Sequence, residues 1–275
     1  MLVLALALSG QNVSIQDNPL SADEINRRLA DFKDSNSARE HELHALFEEA
    51  GCTGEHLTEQ AVKHSHEPNV VCSLPGEARP GAGQDESQII VGGHFDFVNV
   101  GRGVVDNWSG CSLLPSLYQS LKMSPRRHTF VFIGFADEEK GLVGSRFYVH
   151  EMSKDEVRKT SAMVDLDSLG MGPTRFDLDR GDKWLADAFA AVANGKHLPW
   201  GEVSLHQVGR SDSDSFQDRH VPALMIHSIT SETFPILHTP RDQMAAMHLS
   251  DYYDTYRLVA AYLAYLDVTL DGAEK

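Results

Sequence analysis

Gly92-Gly93-His94-Phe95-Asp96, then Val105-Asp106-Asn107-Trp108-Ser109-Gly110, then Phe135-Ala136-Asp137-Glu138-Glu139-Lys140-Gly141-Leu142-Val143-Gly144: across residues 92–144, acids and an imidazole follow hydrophobic runs, each beside glycines. A β-strand that ends in a turn and delivers a polar side chain at its tip has this pattern. Gln88-Ile89-Ile90-Val91-Gly92-Gly93 reads as one such strand. Thr129-Phe130-Val131-Phe132-Ile133-Gly134-Phe135 is a second, too apolar to be half exposed, and so is expected at the centre of a sheet covered on both faces. Between them, residues 109–123 carry Leu113, Leu114, Leu117 and Leu121 at helical spacing. Strand, helix, strand is a βαβ unit, and ligands in such sheets bind at the carboxyl ends of the strands.

Working outward, Ser21-Ala22-Asp23-Glu24 has the form of a capping box opening a helix, and helical character runs with interruptions to about Ala50, with Leu43, Leu46 and Phe47 as its buried stripe. Residues 70–74 read as an edge strand, and the Gly-, Pro- and charge-rich stretch 75–86 as an exposed loop. Further on come a helix over 144–152 and a strand over 161–170 with Asp165 and Asp167 at its end. Residues 182–194 predict a helix on Leu185, Ala188, Phe189 and Val192, with Gly195 just past its end. A buried strand at 221–226, a loop at 233–240 and a long amphipathic helix over 249–270 close the chain. Alternating strands and helices imply an α/β fold, a three-layer α/β/α sandwich around a mixed, largely parallel sheet. These elements fill the chain between Glu139 and His238, leaving no room for an inserted domain.

With 275 residues, 41% of them hydrophobic, the chain is long enough for one large domain with a buried core. A formal net charge of −16 repels phosphate backbones, which argues against nucleic acid and anionic membranes as partners. Residues 1–10, Met-Leu-Val-Leu-Ala-Leu-Ala-Leu-Ser-Gly, resemble the apolar core of a secretory signal without its basic start. The expected division is therefore a truncated signal segment over 1–20 and one catalytic domain over 21–275. Secretion, or another extracytoplasmic location, follows if that segment directs export; otherwise the chain stays cytoplasmic. No apolar run reaches the 18 or so residues a membrane span needs. Of Cys52, Cys72 and Cys111, the first two either pair as a disulfide or all three are buried thiols; no Cys-x-x-Cys pair exists for a thiolate zinc site.

His94, Asp96, Asp106, Glu138, Glu139, Asp167 and His238 are the residues on which chemistry is expected. Singly, each has a bland reading: a core histidine, a solvated acidic turn, a helix cap. Jointly they fall at strand ends, where a parallel sheet gathers its functional groups. Imidazole and carboxylate without thiolate suit zinc or a related divalent ion. His94 and Asp96, two apart in extended chain, lean the same way, so Asp96 is placed to accept the second ring N–H of His94. Adjacent Glu138 and Glu139 cannot point identically, which suggests that one binds metal and the other faces water.

The ordered strings His-x-Asp, Asp-Asn-x-Ser-Gly, Glu-Glu-x-Gly-Leu-x-Gly-Ser, Met-Val-Asp-Leu-Asp-x-x-Gly and His-Thr-Pro-x-Asp resemble those of the di-zinc aminopeptidases, metallo-exopeptidases that include bacterial leucyl aminopeptidases and, as distant relatives, the glutaminyl cyclases. The resemblance runs from Ile89 to the C-terminus. It implies two Zn²⁺ ions: His94 and Asp167 on one, Glu139 and His238 on the other, and Asp106 bridging. It implies Asp96 as the group orienting His94 and Glu138 as general base in hydrolysis of the N-terminal peptide bond of peptides; separately, a monomer is expected. Asp165 competes with Asp167 for the ligand position, and the family pattern favours Asp167. Ser211-Asp212-x-x-x-Phe216 departs from the family's Ser-Asp-His-x-x-Phe, with Ser213 in the place of histidine. Pro115 falls inside the helix after Asp106, where it should bend or shift the first turns. The rival readings are a glutaminyl cyclase-type acyltransferase and a non-catalytic binding relative. A serine hydrolase is disfavoured, because Gly209-Arg210-Ser211-Asp212-Ser213 lacks the second glycine of a nucleophile elbow.

Overall fold

The computed structural model describes residues 2–8, 11–77, 86–177, 179–204 and 209–270. Its strands are β1 (Leu2–Leu8), β2 (Gln11–Asp17), β3 (Leu57–Gln60), β4 (Asn69–Leu74), β5 (Gln88–His94), β6 (Thr129–Phe135), β7 (Thr160–Leu166), β8 (Thr174–Asp177), β9 (Trp200–Val203) and β10 (Ala223–His227). The α-helices are α1 (Ala22–Ala30), α2 (Asn36–Ala50), α3 (Ser109–Cys111), α4 (Leu113–Lys122), α5 (Val143–Glu151), α6 (Lys154–Lys159), α7 (Lys183–Lys196), α8 (Asp212–Gln217) and α9 (Leu249–Thr269). The main sheet has the order β3-β4-β6-β5-β7-β10-β8-β9. Its centre, β6-β5-β7-β10, is parallel, and antiparallel pairings lie to either side.

Alternation along these strands builds two cores. Ile89, Val91, Phe130, Phe132, Ala162, Val164, Leu224 and Ile226 face one way, into a core shared with α1, α2, α4, α7 and α9. Ile90, Val131, Ile133, Phe135, Met163 and Ala223 face the other, toward Val149 of α5 and Phe216 of α8. Both faces of the central strands are dry, so their continuous apolar runs carry the sheet inside two helical layers. This is the expected three-layer α/β/α sandwich. Among the described residues no helix is long and apolar enough to cross a membrane.

Several local expectations change. Residues 70–74 do not lie at the edge: β3, four residues long and three of them polar, pairs outside them. The strands β8 and β9 are also too short to announce themselves by alternation, and their pairing to β10 and to each other creates them. Helix α7 runs on through Gly195 to Lys196. His197 takes the left-handed cap (φ +55), and the Leu198 N–H closes back on the Ala193 carbonyl. The helix expected over 109–123 breaks at Ser112, so Pro115 falls in the first turn of α4, where its missing N–H costs nothing. Residues 2–8 of the segment 1–10 pair with β2 in an antiparallel ribbon beside α7 and α9, a pairing that does not bear on the reading of 1–10 as a signal core; residues 1, 9 and 10 lie outside the described residues, as do 78–85 of the expected loop.

Cys52 and Cys72 form a disulfide across 20 residues, joining the turn after α2 to β4, and Cys111 is a buried free thiol. Closing a loop of that length contributes about 3 kcal/mol in the chain-entropy account. Reduction without other change is expected to lower the urea midpoint accordingly, measured with and without phosphine reductant. An unchanged midpoint would show the crosslink to be thermodynamically idle.

Candidate metal centre

Every expected site residue arrives at the carboxyl end of the parallel strands. His94 ends β5, Glu138 and Glu139 follow β6, Asp167 follows β7, and His238 lies in the loop after β10. Asp106 comes from the segment between β5 and α3, where the Asp106–Asn107 peptide bond is cis. Two groups of possible ligands result: His94, Asp106 and Asp167, and Asp106, Glu139 and His238, each offering three donor atoms within 4.8 Å of one another. Asp106 belongs to both. Its Oδ1 lies 3.3 Å from His94 Nε2, and its Oδ2 3.0 Å from His238 Nε2. Glu139 Oε1 stands 3.1 Å from the same His238 nitrogen, and Asp167 Oδ1 3.8 Å from His94 Nε2. Asp165 points elsewhere, accepting the Ser213 backbone N–H at 2.9 Å.

The motif residues around the ligands have visible work. Asn107 is fully buried. Its side-chain amide donates to the Leu166 carbonyl (2.8 Å) and its oxygen accepts from Gly110 N (2.9 Å) and Ser168 N (3.1 Å). The segment carrying Asp106 is thereby tied to the end of β7 that carries Asp167. The sequence reading gave Asn107 no role, although its place in Asp-Asn-x-Ser-Gly was the available signal. Gly110 permits this approach: a Cβ there would stand 2.1 Å from the Leu166 carbonyl oxygen. Asn107-Trp108-Ser109 also has the form of a glycosylation sequon, but with Asn107 fully buried it is inaccessible.

Asp96 behaves differently from expectation. The His94 Nδ1–H donates to the backbone carbonyl of Asp96 (3.1 Å), while the Asp96 carboxylate is farther off at 3.5 Å. That carboxylate instead accepts the backbone N–H groups of Glu138 (2.9 Å) and Glu139 (3.2 Å). The bond to the carbonyl still leaves Nε2 as the free, ligating nitrogen. The carboxylate fixes the short turn bearing both glutamates, which is flanked by left-handed backbone at Asp137 (φ +54) and Leu142 (φ +62). Chain direction accounts for the difference: Phe95 N bonds to the Phe135 carbonyl, which lays Asp96 beside the turn after β6.

The acids crowd one another. Burial pushes Glu138 up to about 10; His94 opposes this, and Asp212, Asp167 and Asp106 add to it. Burial likewise raises Glu139, against its bond to His238. Asp106 is buried too, but bonds from His238 and His94 outweigh that and hold it below the carboxylate range. Hydrogen bonds to Asp106 and Glu139 push His238 up to about 10. For His94, burial is outweighed by the charge of Glu138 and by bonds to Asp106, Asp167 and Asp96, and the ring is held well above its usual value. Sets of imidazole and carboxylate donors this rich in negative charge fit divalent zinc. A cavity of about 130 Å³ opens beside them, walled by Met225, Ile229, Phe234 and Leu237 on the apolar side and by Asp177, Arg180 and Arg210 on the charged side.

A proton on an imidazole nitrogen has to leave before that nitrogen can ligate. Zinc uptake near pH 7 is therefore expected to release protons, from His94 and His238 and from Glu138 as its raised carboxyl comes down beside the ions. Zinc titrations in buffers of different ionisation enthalpy measure this. The raised His238 pKa favours the ion-free fold at low pH, an advantage fully present below about 6.5 and lost toward 10, and the raised His94 acts in the same sense. Zinc affinity accordingly rises with pH over that window. A pH-independent affinity with no proton release would contradict the geometry.

The family model described as Peptidase family M28 matches residues 69–263. The chain is 28% identical over 165 residues to Aminopeptidase YwaD of Bacillus subtilis (strain 168), covering 57% of this chain and 36% of that protein, so it spans about a third of the length of that relative. The fold resembles that of the Legionella pneumophila LapA aminopeptidase, with TM-score 0.78 and 22% identity over 91% of this chain and 73% of that one. It also resembles the Porphyromonas gingivalis glutaminyl cyclase, with TM-score 0.68 and 18% identity over 91% of this chain and 99% of that one.

Proposed function

Because the chain belongs to peptidase family M28, we propose that it is a zinc-dependent exopeptidase hydrolysing the N-terminal peptide bond of peptides at a two-ion centre. The observation that carries this reading is the shared carboxylate: Asp106 turns one oxygen to the group of His94 and Asp167 and the other to the group of Glu139 and His238. His94, Asp167 and Asp106 would hold one Zn²⁺, and Glu139, His238 and Asp106 the other. Bound there, zinc supplies Lewis acidity toward a carbonyl oxygen and a water.

Glu138 neighbours both groups without belonging to either, with Oε2 4.0 Å from His94 Nε2. It lines the cavity and suits the general base, taking a proton from water and returning it to the leaving amine. Asp96 positions Glu138 and Glu139 together through their backbone N–H groups. Met225, Ile229, Phe234 and Leu237 offer an apolar surface to the N-terminal side chain. A disulfide in a chain of this kind fits an oxidising, extracytoplasmic location, and a monomer satisfies the site, since all its groups come from one chain.

Ring closure of N-terminal glutamine is the alternative chemistry on the same fold; two complete ligand groups weigh against it. Metal analysis joined to a panel of aminoacyl-anilides and a glutamine-initiated peptide separates the readings. Release of N-terminal residues with about two ions per chain is expected. Pyroglutamate formation without anilide cleavage would replace the exopeptidase reading.

A further inference from the structure

His238 is a poorly supported ligand. Its side chain is 54% exposed and its backbone is left-handed (φ +57), so neither packing nor local preference holds it in place. Asp106, its neighbour in the same ligand group, lies in an irregular segment between a strand and a helix. Asp242, the last residue of His-Thr-Pro-x-Asp, joins the two. It is 2% exposed. Its Oδ1 accepts the Val105 N–H at 2.8 Å and its Oδ2 the Asp106 N–H at 3.2 Å. Its backbone carbonyl accepts the Arg102 N–H at 2.8 Å, and its own N–H closes on the Thr239 carbonyl at 3.0 Å. Gly101 (φ +80) completes the junction, since a Cβ there would meet the Thr239 carbonyl oxygen at 2.3 Å.

We propose that Asp242 is the positioning residue that couples the two halves of the metal centre, clamping the segment of the bridging Asp106 to the loop of His238. The inference rests on the two-ion reading above. A carboxylate is the group this geometry needs, because the two N–H donors go to different oxygens, and an amide would turn an NH₂ donor toward one of them. Burial pushes the Asp242 carboxyl up to about 6, and the two N–H bonds oppose that shift. At this depth the two N–H bonds offset part of the carboxylate's desolvation cost, as they do for an outer group that orients ligands. Because Asp106 serves both ions and His238 one of them, loosening the clamp weakens both binding steps. Loss of Asp167, which belongs to a single ligand group, weakens one step.

The test is zinc alone, titrated calorimetrically into chelator-stripped protein in competition with a weak chelator, with thermal unfolding of each stripped protein alongside. In Asp242→Asn both zinc steps are expected to weaken by about 10–100-fold, the usual consequence of losing an outer partner, while the stripped protein still unfolds cooperatively. Asp167→Asn is expected to weaken one step. Should Asp242→Asn not fold, Thr239→Val serves in its place. It removes the hydroxyl that donates to the Ile236 carbonyl and accepts the Arg241 N–H, loosening only the His238 loop, and is expected to weaken at least one zinc step. Unchanged zinc affinity in a folded Asp242→Asn, or in Thr239→Val where that stands in, overturns the proposal. So does weakening confined to one step in Asp242→Asn. A wild type that takes up no zinc instead removes the two-ion reading itself.

Discussion

Glu138→Gln is expected to lose turnover by about 10²–10⁴-fold on an aminoacyl-anilide while keeping its zinc and its fold. Glu138 is the acid of this pocket that stands close to His94 without joining either ligand group, so the substitution leaves both groups complete. Its side chain is 12% exposed, and its backbone is held by Asp96, so glutamine fills the same volume on the same turn. What changes is proton affinity: an amide cannot take the proton from water or return it to the departing amine. Burial and the neighbouring acids raise the Glu138 carboxyl to about 10, which marks how strongly it holds a proton beside so much negative charge. Divalent ions among those acids would pull that value down toward the range where a base works. Turnover and metal content, measured on the same samples, decide the matter. Wild-type turnover in the variant removes Glu138 from its role, and loss of zinc makes it a ligand instead.

Asp106→Ala is expected to have the larger effect on metal. The carboxylate serves both groups, so its loss leaves each with two donors. Zinc affinity should fall at both steps by more than about 100-fold, the upper figure for losing a mere outer partner. Activity should vanish with it. Competition titration and emission spectroscopy of the dialysed protein measure this; retention of two tightly held ions would mean that Asp106 does not bridge. A second consequence concerns the zinc-free protein. Asp106 titrates below the carboxylate range in the fold, because bonds from His238 and His94 outweigh its burial. A depressed folded-state pKa contributes stability present above about pH 4 and lost as the pH falls further. Stripped wild type should therefore outlast stripped Asp106→Ala near neutrality, with the gap closing in acid.

Much of the site was legible because the chemistry of a parallel sheet is local at first. A polar residue at the tip of an apolar strand can be read from a dozen residues, and His94, Glu138, Glu139 and Asp167 each have that signature. Asp96 was legible as a participant but not in its contacts. From sequence it lay two residues from His94, whereas in the fold β5 beside β6 brings it under the turn of Glu138 and Glu139. Asn107 and Asp242 were visible inside quoted motifs yet had no assignable role, because each bonds to segments about 60 and 137 residues away.

The sequence by itself determined the alternation of elements, the two-faced burial of the central strands and the list of donors, since all of these follow from periodicity and residue chemistry. Tertiary structure alone decided that Asp106 faces two ligand groups at once, that Asp165 is turned away toward Ser213, and that Cys52 meets Cys72. It also decided that β3, β8 and β9 exist, because four-residue strands gain their hydrogen bonds only from neighbours already in place. The physical reason is common to these cases: a distance between groups remote in the chain is set by sheet order and register, which no single stretch of residues contains.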